Sequence, residues 1–194
     1  MKGRPLQTFV TTYLDDLRGT LAGLDVDALA QAIGWVHAAA REGHTIFSCG
    51  NGGSASIASH FVNDLVKGAS DATGTRFKAI SLADSVSTLT AVANDTAYEA
   101  VFVDPLRIFV QAGDILVAIS GSGNSPNVLR AVECANGAGC KTIGLTRRDG
   151  GRLREIVQLP LDVPNTHMGR LEDAFSAIIH LLTYPFMDRV LGAD

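Results

Sequence analysis

Two short segments rich in glycine and hydroxyl side chains carry the clearest chemical signal in the sequence. The first is Gly50-Asn51-Gly52-Gly53-Ser54, and the second is Ser120-Gly121-Ser122-Gly123-Asn124-Ser125. Each follows a short apolar run and precedes a helix-patterned stretch, which predicts backbone N–H groups at a helix N-terminus. Aligned peptide dipoles and unpaired donors there favour an anion, typically a phosphate. The two loops therefore predict a phosphate-binding site.

The first loop also satisfies the Gly-x-Gly-x-x-Gly/Ala fingerprint of dinucleotide-binding folds. Its positions are Gly50, Gly52 and Ala55, and Asp84 mimics the acid that binds ribose. The long spacing to Asp84 and the hydroxyls of the second loop disfavour this interpretation, because several serines suit a terminal phosphate better than a pyrophosphate. We therefore expect no nucleotide cofactor. The alternative without a ligand is that both loops are ordinary turns between a strand and a helix.

Titratable side chains lie on two of the helix-patterned stretches. His60 and Asp64 are one turn apart, so they can act together on a ligand or metal, or form a solvated pair, which spacing alone favours. His180 stands in the apolar run Ile178–Leu182, where an imidazole needs a partner, and a lone buried histidine is usually structural. Glu172, about two turns earlier, can supply a carboxylate or merely complement the helix dipole.

The hydrophobic pattern predicts the elements that position these groups. Two amphipathic helices, about Leu6 to Leu21 and Val26 to Arg41, precede the first strand. Strands are then predicted at His44–Cys49, Phe77–Leu82, Ile115–Ser120, Lys141–Leu145 and Ile156–Val163. Further helices are predicted at Ala55–Val66, Ser85–Ala93, Ala100–Gln111, Pro126–Ala138 and Arg170–Tyr184, with Lys67–Arg76 as a polar loop and Pro185 ending or kinking the last helix. This alternation predicts a three-layer α/β/α sandwich with a central parallel sheet and ligands beyond the carboxyl ends of its strands.

Composition and charge limit the classes of function. The chain has 194 residues, 46% of them hydrophobic, which suits one α/β domain over residues 1–194. The net charge is −4 and basic residues are scattered, so we expect no nucleic-acid binding. Three cysteines without metal spacing indicate reduced thiols. No leader-like or membrane-length apolar run is present, which predicts a soluble cytoplasmic protein without membrane contact.

Taken in order, these segments resemble the sugar isomerase (SIS) domain, and within it the sedoheptulose 7-phosphate isomerase (phosphoheptose isomerase) family. The resemblance covers nearly the whole chain. Its markers are Ser48–Ser54, His60-Phe61, Ala93–Asp95, Gly113–Leu116, Ile119–Val128, Leu145–Gly151, Val163-Pro164 and His180. It implies a flavodoxin-like SIS fold and a homotetramer with active sites at subunit interfaces. Residues 1–43 are then a helical segment packing on the domain and at the oligomer interface.

The resemblance also implies an activity and its residues. The reaction converts sedoheptulose 7-phosphate to D-glycero-D-manno-heptose 7-phosphate through an enediol, with Asp64 and His180 as the base and acid. Substrate contacts are implied for Asn51, Gly52, Gly53, Ser54, Asn94, Asp95, Ser120, Gly121, Ser122, Ser125 and Glu172. Some members bind zinc, at positions that correspond here to His60, Asp64, Glu172 and His180. Nitrogen and carboxylate ligands suit that metal.

Several site positions depart from the family pattern. Asp64 stands in place of a glutamate, Glu172 in place of a glutamine, Phe175 in place of a polar residue, and Gly169 where an acid is common. Moving the carboxylate of residue 64 back by one methylene can cost much of the rate. The alternative function is therefore a non-catalytic SIS module that binds a phosphosugar or a protein, such as a partner of the replication initiator.

Overall fold

Parallel strands form the middle layer of the computed structural model, which describes residues 5–191. The strands are β1 (Thr45–Gly50), β2 (Lys78–Ser81), β3 (Ile115–Ile119), β4 (Lys141–Arg147) and β5 (Leu159–Val163). They pair in the order β2-β1-β3-β4-β5, and every neighbouring pair is parallel. This is the order of flavodoxin-like sheets, so the predicted α/β/α architecture is confirmed.

Helices cover both faces of this sheet. They are α1 (Leu6–Ala22), α2 (Val26–Glu42), α3 (Gly53–Asn63), α4 (Ser70–Thr73), α5 (Val86–Asp95), α6 (Val103–Phe109), α7 (Pro126–Gly137), α8 (Gly151–Ile156) and α9 (Met168–Met187). Successive strand side chains point to opposite faces. Ile46 packs into the core formed with α2, α3 and α9, whereas Phe47 packs into the core formed with α6 and α7. Within residues 5–191, none of the helices is long and apolar enough to cross a membrane.

The two N-terminal helices are confirmed, but their apolar faces differ in burial. Helix α2 is capped by Gly43 at φ 75°, and its apolar face lies in the core. The apolar stripe of α1 is exposed to solvent in the single chain. Its exposed members include Leu6, Phe9, Val10 and Leu14. The regular spacing of apolar residues therefore predicted the helix correctly, although this stripe is not part of the core.

The largest difference from the predicted elements follows the first loop. The α-helical geometry of α3 ends at Asn63, and the chain continues as a π-helical segment, Asp64–Ala69, and then as α4. The prediction of a polar loop over 67–76 was wrong for residues 67–73, which are helical. Leu65 and Ala69 are fully buried, so apolar packing keeps this segment helical until Gly74 at φ 74° ends it.

The remaining comparisons with the predicted elements concern three helices. A single helix was predicted over 100–111, but a 3₁₀ turn at Tyr98–Ala100 precedes a separate α6. Pro105 lies in the first turn of α6, where its ring and missing N–H are tolerated; one continuous helix would place it in the interior. Pro185 was predicted to end or kink the last helix, and it lies inside α9, which ends two residues later at Met187. Helix α8, held by buried Leu153, was not predicted.

Candidate active site

The two glycine-serine loops meet at one end of the sheet. They follow β1 and β3, which are neighbours at the point where the strand order reverses and where doubly wound folds bind ligands. A cavity of about 250 Å³ lies between them. It is lined by Asn51, Ser54, Ile119, Ser120, Gly121, Ser122, Ser125, Met168 and Glu172. Both loops thus line one cavity, as the sequence predicted for a shared ligand.

Hydroxyl groups of the second loop converge on one another. Ser120 Oγ lies 3.2 Å from Ser125 Oγ and 3.5 Å from Ser122 Oγ, and it accepts a hydrogen bond of 3.2 Å from the Gly123 N–H. Gly123 has φ 68°, and a β-carbon there would overlap the Gly150 carbonyl. Glycine is therefore required at this turn, which holds three hydroxyls close enough to share one tetrahedral anion.

The first loop begins α3 without a side-chain cap. Gly52, at φ 55°, is the N-cap residue, and within the described chain its helix N-terminus makes no side-chain capping bond. Ser54, in the first turn of α3, lines the cavity. A β-carbon at Gly53 would overlap the Glu172 carboxylate. Glu172 of α9 thus lies directly against the start of α3.

A second group of side chains lies farther along α3. Asp64 Oδ2 is 3.5 Å from His60 Nε2 and 4.0 Å from His180 Nε2. The two imidazole rings pack edge to face, with 5.0 Å between their centroids. The Asp64 side chain is 12% exposed, whereas those of His60 and His180 are 48% and 42% exposed. The solvated pair that spacing alone favoured is thus wrong for Asp64, and His180 is not a histidine of the core.

Asp64 Oδ2 is buried and, among residues 5–191, has no hydrogen-bond partner. A buried carboxylate oxygen without a partner is costly, so this position favours a bound ligand or ion as the partner. The residue also begins the π-helical segment Asp64–Ala69, and π-helical turns occur frequently at functional sites. Ligand atoms of His60, Asp64 and His180 lie within 4.8 Å of one another, a spacing that can hold a metal ion.

The other predicted site residues divide between these places. Within the described chain, Glu172 lines the serine cavity and stands apart from the group that could hold a metal. Asn94 and Asp95 lie exposed at the end of α5, where Asn94 Nδ2 donates to Asp95 Oδ1 at 2.7 Å, and neither lines the cavity. A single chain therefore brings together the loops and, next to them along α3 and α9, the titratable group, but not the α5 pair.

Two residues near the site were not singled out from the sequence. The side chains of Asn127 and Tyr98 both hydrogen-bond to Asn51. Asn127 lies in the first turn of α7, within the segment Ile119–Val128 that resembles the family. A polar side chain directly after the proline that begins a helix could have indicated a residue near the site. Tyr98 lies in a 3₁₀ turn far from either loop in sequence, and no local pattern indicates its contact.

Of the departures from the family pattern, Phe175 has a structural explanation. Its side chain is fully buried among the apolar residues of α9, α2 and α3. It therefore contributes to the core and does not alter the polar site. Gly169 lies beside the Tyr13 hydroxyl, which a β-carbon there would approach to 3.0 Å.

The fold and this pair of sites define a class, the SIS-domain proteins. The family model for the SIS domain matches residues 12–147. The phosphoheptose isomerase of Geobacter sp. (strain M21) is 39% identical over 162 residues, which cover 80% of each chain. Two solved structures are also similar, the phosphoheptose isomerases of Neisseria gonorrhoeae (TM-score 0.86, 30% identity) and Francisella tularensis (TM-score 0.88, 28% identity). Each similarity covers 95% of this chain and 100% of the other.

Within that class, the chain belongs to the phosphoheptose isomerase family. The predicted family and fold are thereby confirmed. The sequence identity extends over most of both chains, so membership does not depend on the glycine-serine loops alone.

Proposed function

We propose that this protein isomerises sedoheptulose 7-phosphate to D-glycero-D-manno-heptose 7-phosphate. Family membership makes it an aldose–ketose isomerase of a phosphosugar. The observation that carries the proposal is the approach of Asp64 and His180, whose polar atoms are 4.0 Å apart. Asp64 directly follows α3 and His180 lies on α9, and both of these helices also contribute residues to the serine cavity. A base, an acid and an anion site are the groups that this reaction needs.

The chemistry moves one proton between C1 and C2. A carboxylate takes a proton from the carbon that bears a hydroxyl, and an acid protonates the neighbouring carbonyl oxygen, which gives the enediol. Asp64 Oδ2 accepts no hydrogen bond within residues 5–191, so its lone pairs are available to take the proton. His180, with its imidazole on the exposed side of Asp64, is the proposed acid. The hydroxyls of Ser120, Ser122 and Ser125 hold the phosphate.

Zinc fits the same group of side chains. His60, Asp64 and His180 offer two imidazole nitrogens and a buried, unpartnered carboxylate oxygen, a donor set that suits this ion. When bound, zinc supplies a Lewis acid that polarises a substrate oxygen. Glu172 was predicted as a fourth ligand, but its carboxylate lies against Gly53. We therefore assign Glu172 to the substrate side of the site.

We further propose that the active enzyme is a homotetramer with active sites at subunit interfaces. The apolar stripe of α1 supports this assembly, because Leu6 is 78% and Leu14 is 58% exposed in the single chain. In this proposal residues 1–43 provide contacts between subunits. Asn94 and Asp95, which lie outside the cavity of their own chain, then reach the substrate from a neighbouring subunit.

The state of the cysteines supports a cytoplasmic enzyme. Cys49, Cys134 and Cys140 are all free thiols. Burial on β1 raises the pKa of the Cys49 thiol to about 12, so it remains protonated and packs within the sheet core. Unpaired thiols are typical of proteins that work in a reducing compartment.

The function is tested by incubating purified protein with sedoheptulose 7-phosphate and following the sugar by NMR, with and without added zinc. We expect aldose phosphate signals to grow in at least one condition. If neither condition gives product while the sugar phosphate still binds, the protein is the non-catalytic SIS module considered as the alternative, and the isomerase assignment for this substrate is wrong.

Zinc binding gives a separate prediction that needs no turnover. The wild-type protein is expected to compete with a chelating dye for one zinc ion, and His60→Gln should weaken that affinity by at least about 10-fold, since even the outer partners of metal ligands are worth that much. His167→Gln is the matched control, because His167 is an exposed histidine outside the group. Equal zinc affinity in the wild type and His60→Gln would exclude His60 as a ligand.

A further inference from the structure

We infer that Tyr98 and Asn127 are positioning residues that fix the side-chain amide of Asn51, so that it offers one N–H to the phosphate cavity. The inference rests on the proposed function only for the identity of the ligand. The orientation itself follows from the hydrogen bonds of three side chains, and from one backbone group that cannot be reversed.

The two asparagines form a reciprocal pair. Asn51 Nδ2 donates to Asn127 Oδ1 at 2.9 Å, and Asn127 Nδ2 donates to Asn51 Oδ1 at 2.8 Å. Such a pair would be satisfied equally well if both amides were flipped, because each exchange of oxygen for nitrogen preserves a donor facing an acceptor. A third contact must therefore choose between the two arrangements.

The backbone N–H of Val128 makes that choice. It lies 3.0 Å from Asn127 Oδ1, and a backbone N–H can only donate, so the atom facing it must be the oxygen. Asn127 is 1% exposed, so no solvent molecule replaces this bond in an alternative rotamer. The orientation of Asn127 then dictates that of Asn51.

Tyr98 completes the arrangement from the other side. Its hydroxyl donates to Asn51 Oδ1 at 2.9 Å, which gives this oxygen a second donor besides Asn127. Both lone pairs of the Asn51 oxygen are then used, and one of its two amide hydrogens is held by Asn127. Within the described chain, the second amide hydrogen is the group that Asn51 retains for a ligand.

This amide hydrogen belongs to a residue that lines the serine cavity. A phosphate oxygen only accepts hydrogen bonds, so an amide turned the other way would present its oxygen and repel the ligand. The network therefore converts Asn51, whose side chain can donate or accept, into a fixed donor. Its three members come from the first loop, from α7 and from the 3₁₀ turn, so the donor is held by elements outside its own loop.

The test is the steady-state kinetics of Tyr98→Phe with sedoheptulose 7-phosphate. Losing one bond that orients a contact to the non-reacting phosphate weakens binding in the ground state and transition state alike, so KM should rise about 3- to 10-fold while kcat stays within about twofold. Tyr13→Phe is the control: its hydroxyl bonds Asp173 at 2.6 Å and not Asn51 or Asn127, so KM should not change. A purely structural role would lower the active fraction, hence kcat, at unchanged KM, and that result would overturn the inference.

Asn127→Ala should raise KM further, by about 10-fold or more. Because Asn127 is buried, this variant can fail to fold, whereas Tyr98 is 53% exposed and its variant keeps the core intact. A direct measurement is the NMR spectrum of the Asn51 side-chain amide during titration of the wild type with inorganic phosphate. One of its two protons should shift, and the same titration of Tyr98→Phe should shift it less.

These results separate the inference from the function on which it rests. If the wild type yields no aldose phosphate, the isomerase assignment fails, and the phosphate titration still decides whether Asn51 is a donor. If product forms but Tyr98→Phe leaves KM unchanged and neither Asn51 amide proton responds to phosphate, the positioning role is wrong and the isomerase assignment stands.

Discussion

Replacing His180 with glutamine is expected to reduce turnover of sedoheptulose 7-phosphate by at least about 100-fold, the usual range for loss of a general acid or base. Glutamine retains a hydrogen-bond donor of similar reach but cannot carry a transferable proton. The His180 side chain is partly exposed and touches Asp64 and the Tyr184 ring rather than the core, so the fold should persist. Product formation is measured by NMR of the sugar, and binding by calorimetry.

Measuring binding separately from turnover distinguishes loss of catalysis from loss of the substrate site. His180 lies outside the set of residues that line the serine cavity, so the phosphosugar should still bind to His180→Gln. His167→Gln, which removes an exposed histidine just before α9, should keep full turnover. Full activity in His180→Gln would remove this residue from the mechanism, and loss of both binding and folding would indicate a structural role instead.

Asp64→Asn is expected to have an effect of similar size, at least about 100-fold on turnover. The amide has almost the same shape as the carboxylate but no basicity at the buried Oδ2 position, which has no hydrogen-bond partner within residues 5–191. Zinc affinity should fall in the same variant, because a neutral amide replaces an anionic ligand. Turnover and zinc competition are measured on one preparation.

Two further variants calibrate the Asp64 result. Asp71→Asn neutralises an exposed acid of α4 that pairs with Lys67, two residues beyond the π-helical segment, and should leave turnover unchanged. Asp64→Glu restores the residue that the family resemblance implies and should retain activity, because it keeps a carboxylate at the site. Turnover by Asp64→Asn at the wild-type rate would exclude Asp64 as the base.

The anion site could be predicted from the sequence because its signals are local. Glycines and hydroxyls after β1 and β3 mark both loops, and the alternation of strands and helices predicts that parallel strands present them at one edge. The exposure of His180 could not be predicted in the same way. An apolar run gives the helix, but it does not say which residue of that run faces Asp64 on another helix.

Neither the π-helical segment nor the hydrogen bonds around Asn51 could be predicted from the sequence, for two different reasons. The apolar spacing of residues 64–69 predicts only a helix, because Leu65 and Ala69, four residues apart, would face the core in an α-helix as well as in the π-helical segment observed. Tyr98 contacts Asn51 only after α5 has returned the chain to the sheet edge. Contacts of this kind depend on tertiary packing, which no local periodicity records.

The lining of the serine cavity bears on how the enzyme responds to its ionic surroundings. Within residues 5–191, the lining contains hydroxyls, amides and a carboxylate but no lysine or arginine. Dissolved salt weakens attraction between full charges over distances of about 10 Å, whereas it hardly affects short hydrogen bonds to neutral groups. A phosphosugar held in this way is selected by the placement of donors rather than drawn in by a positive field. The Glu172 carboxylate is the one full charge among these lining residues and it repels a phosphate, so the affinity is expected not to fall as ionic strength rises.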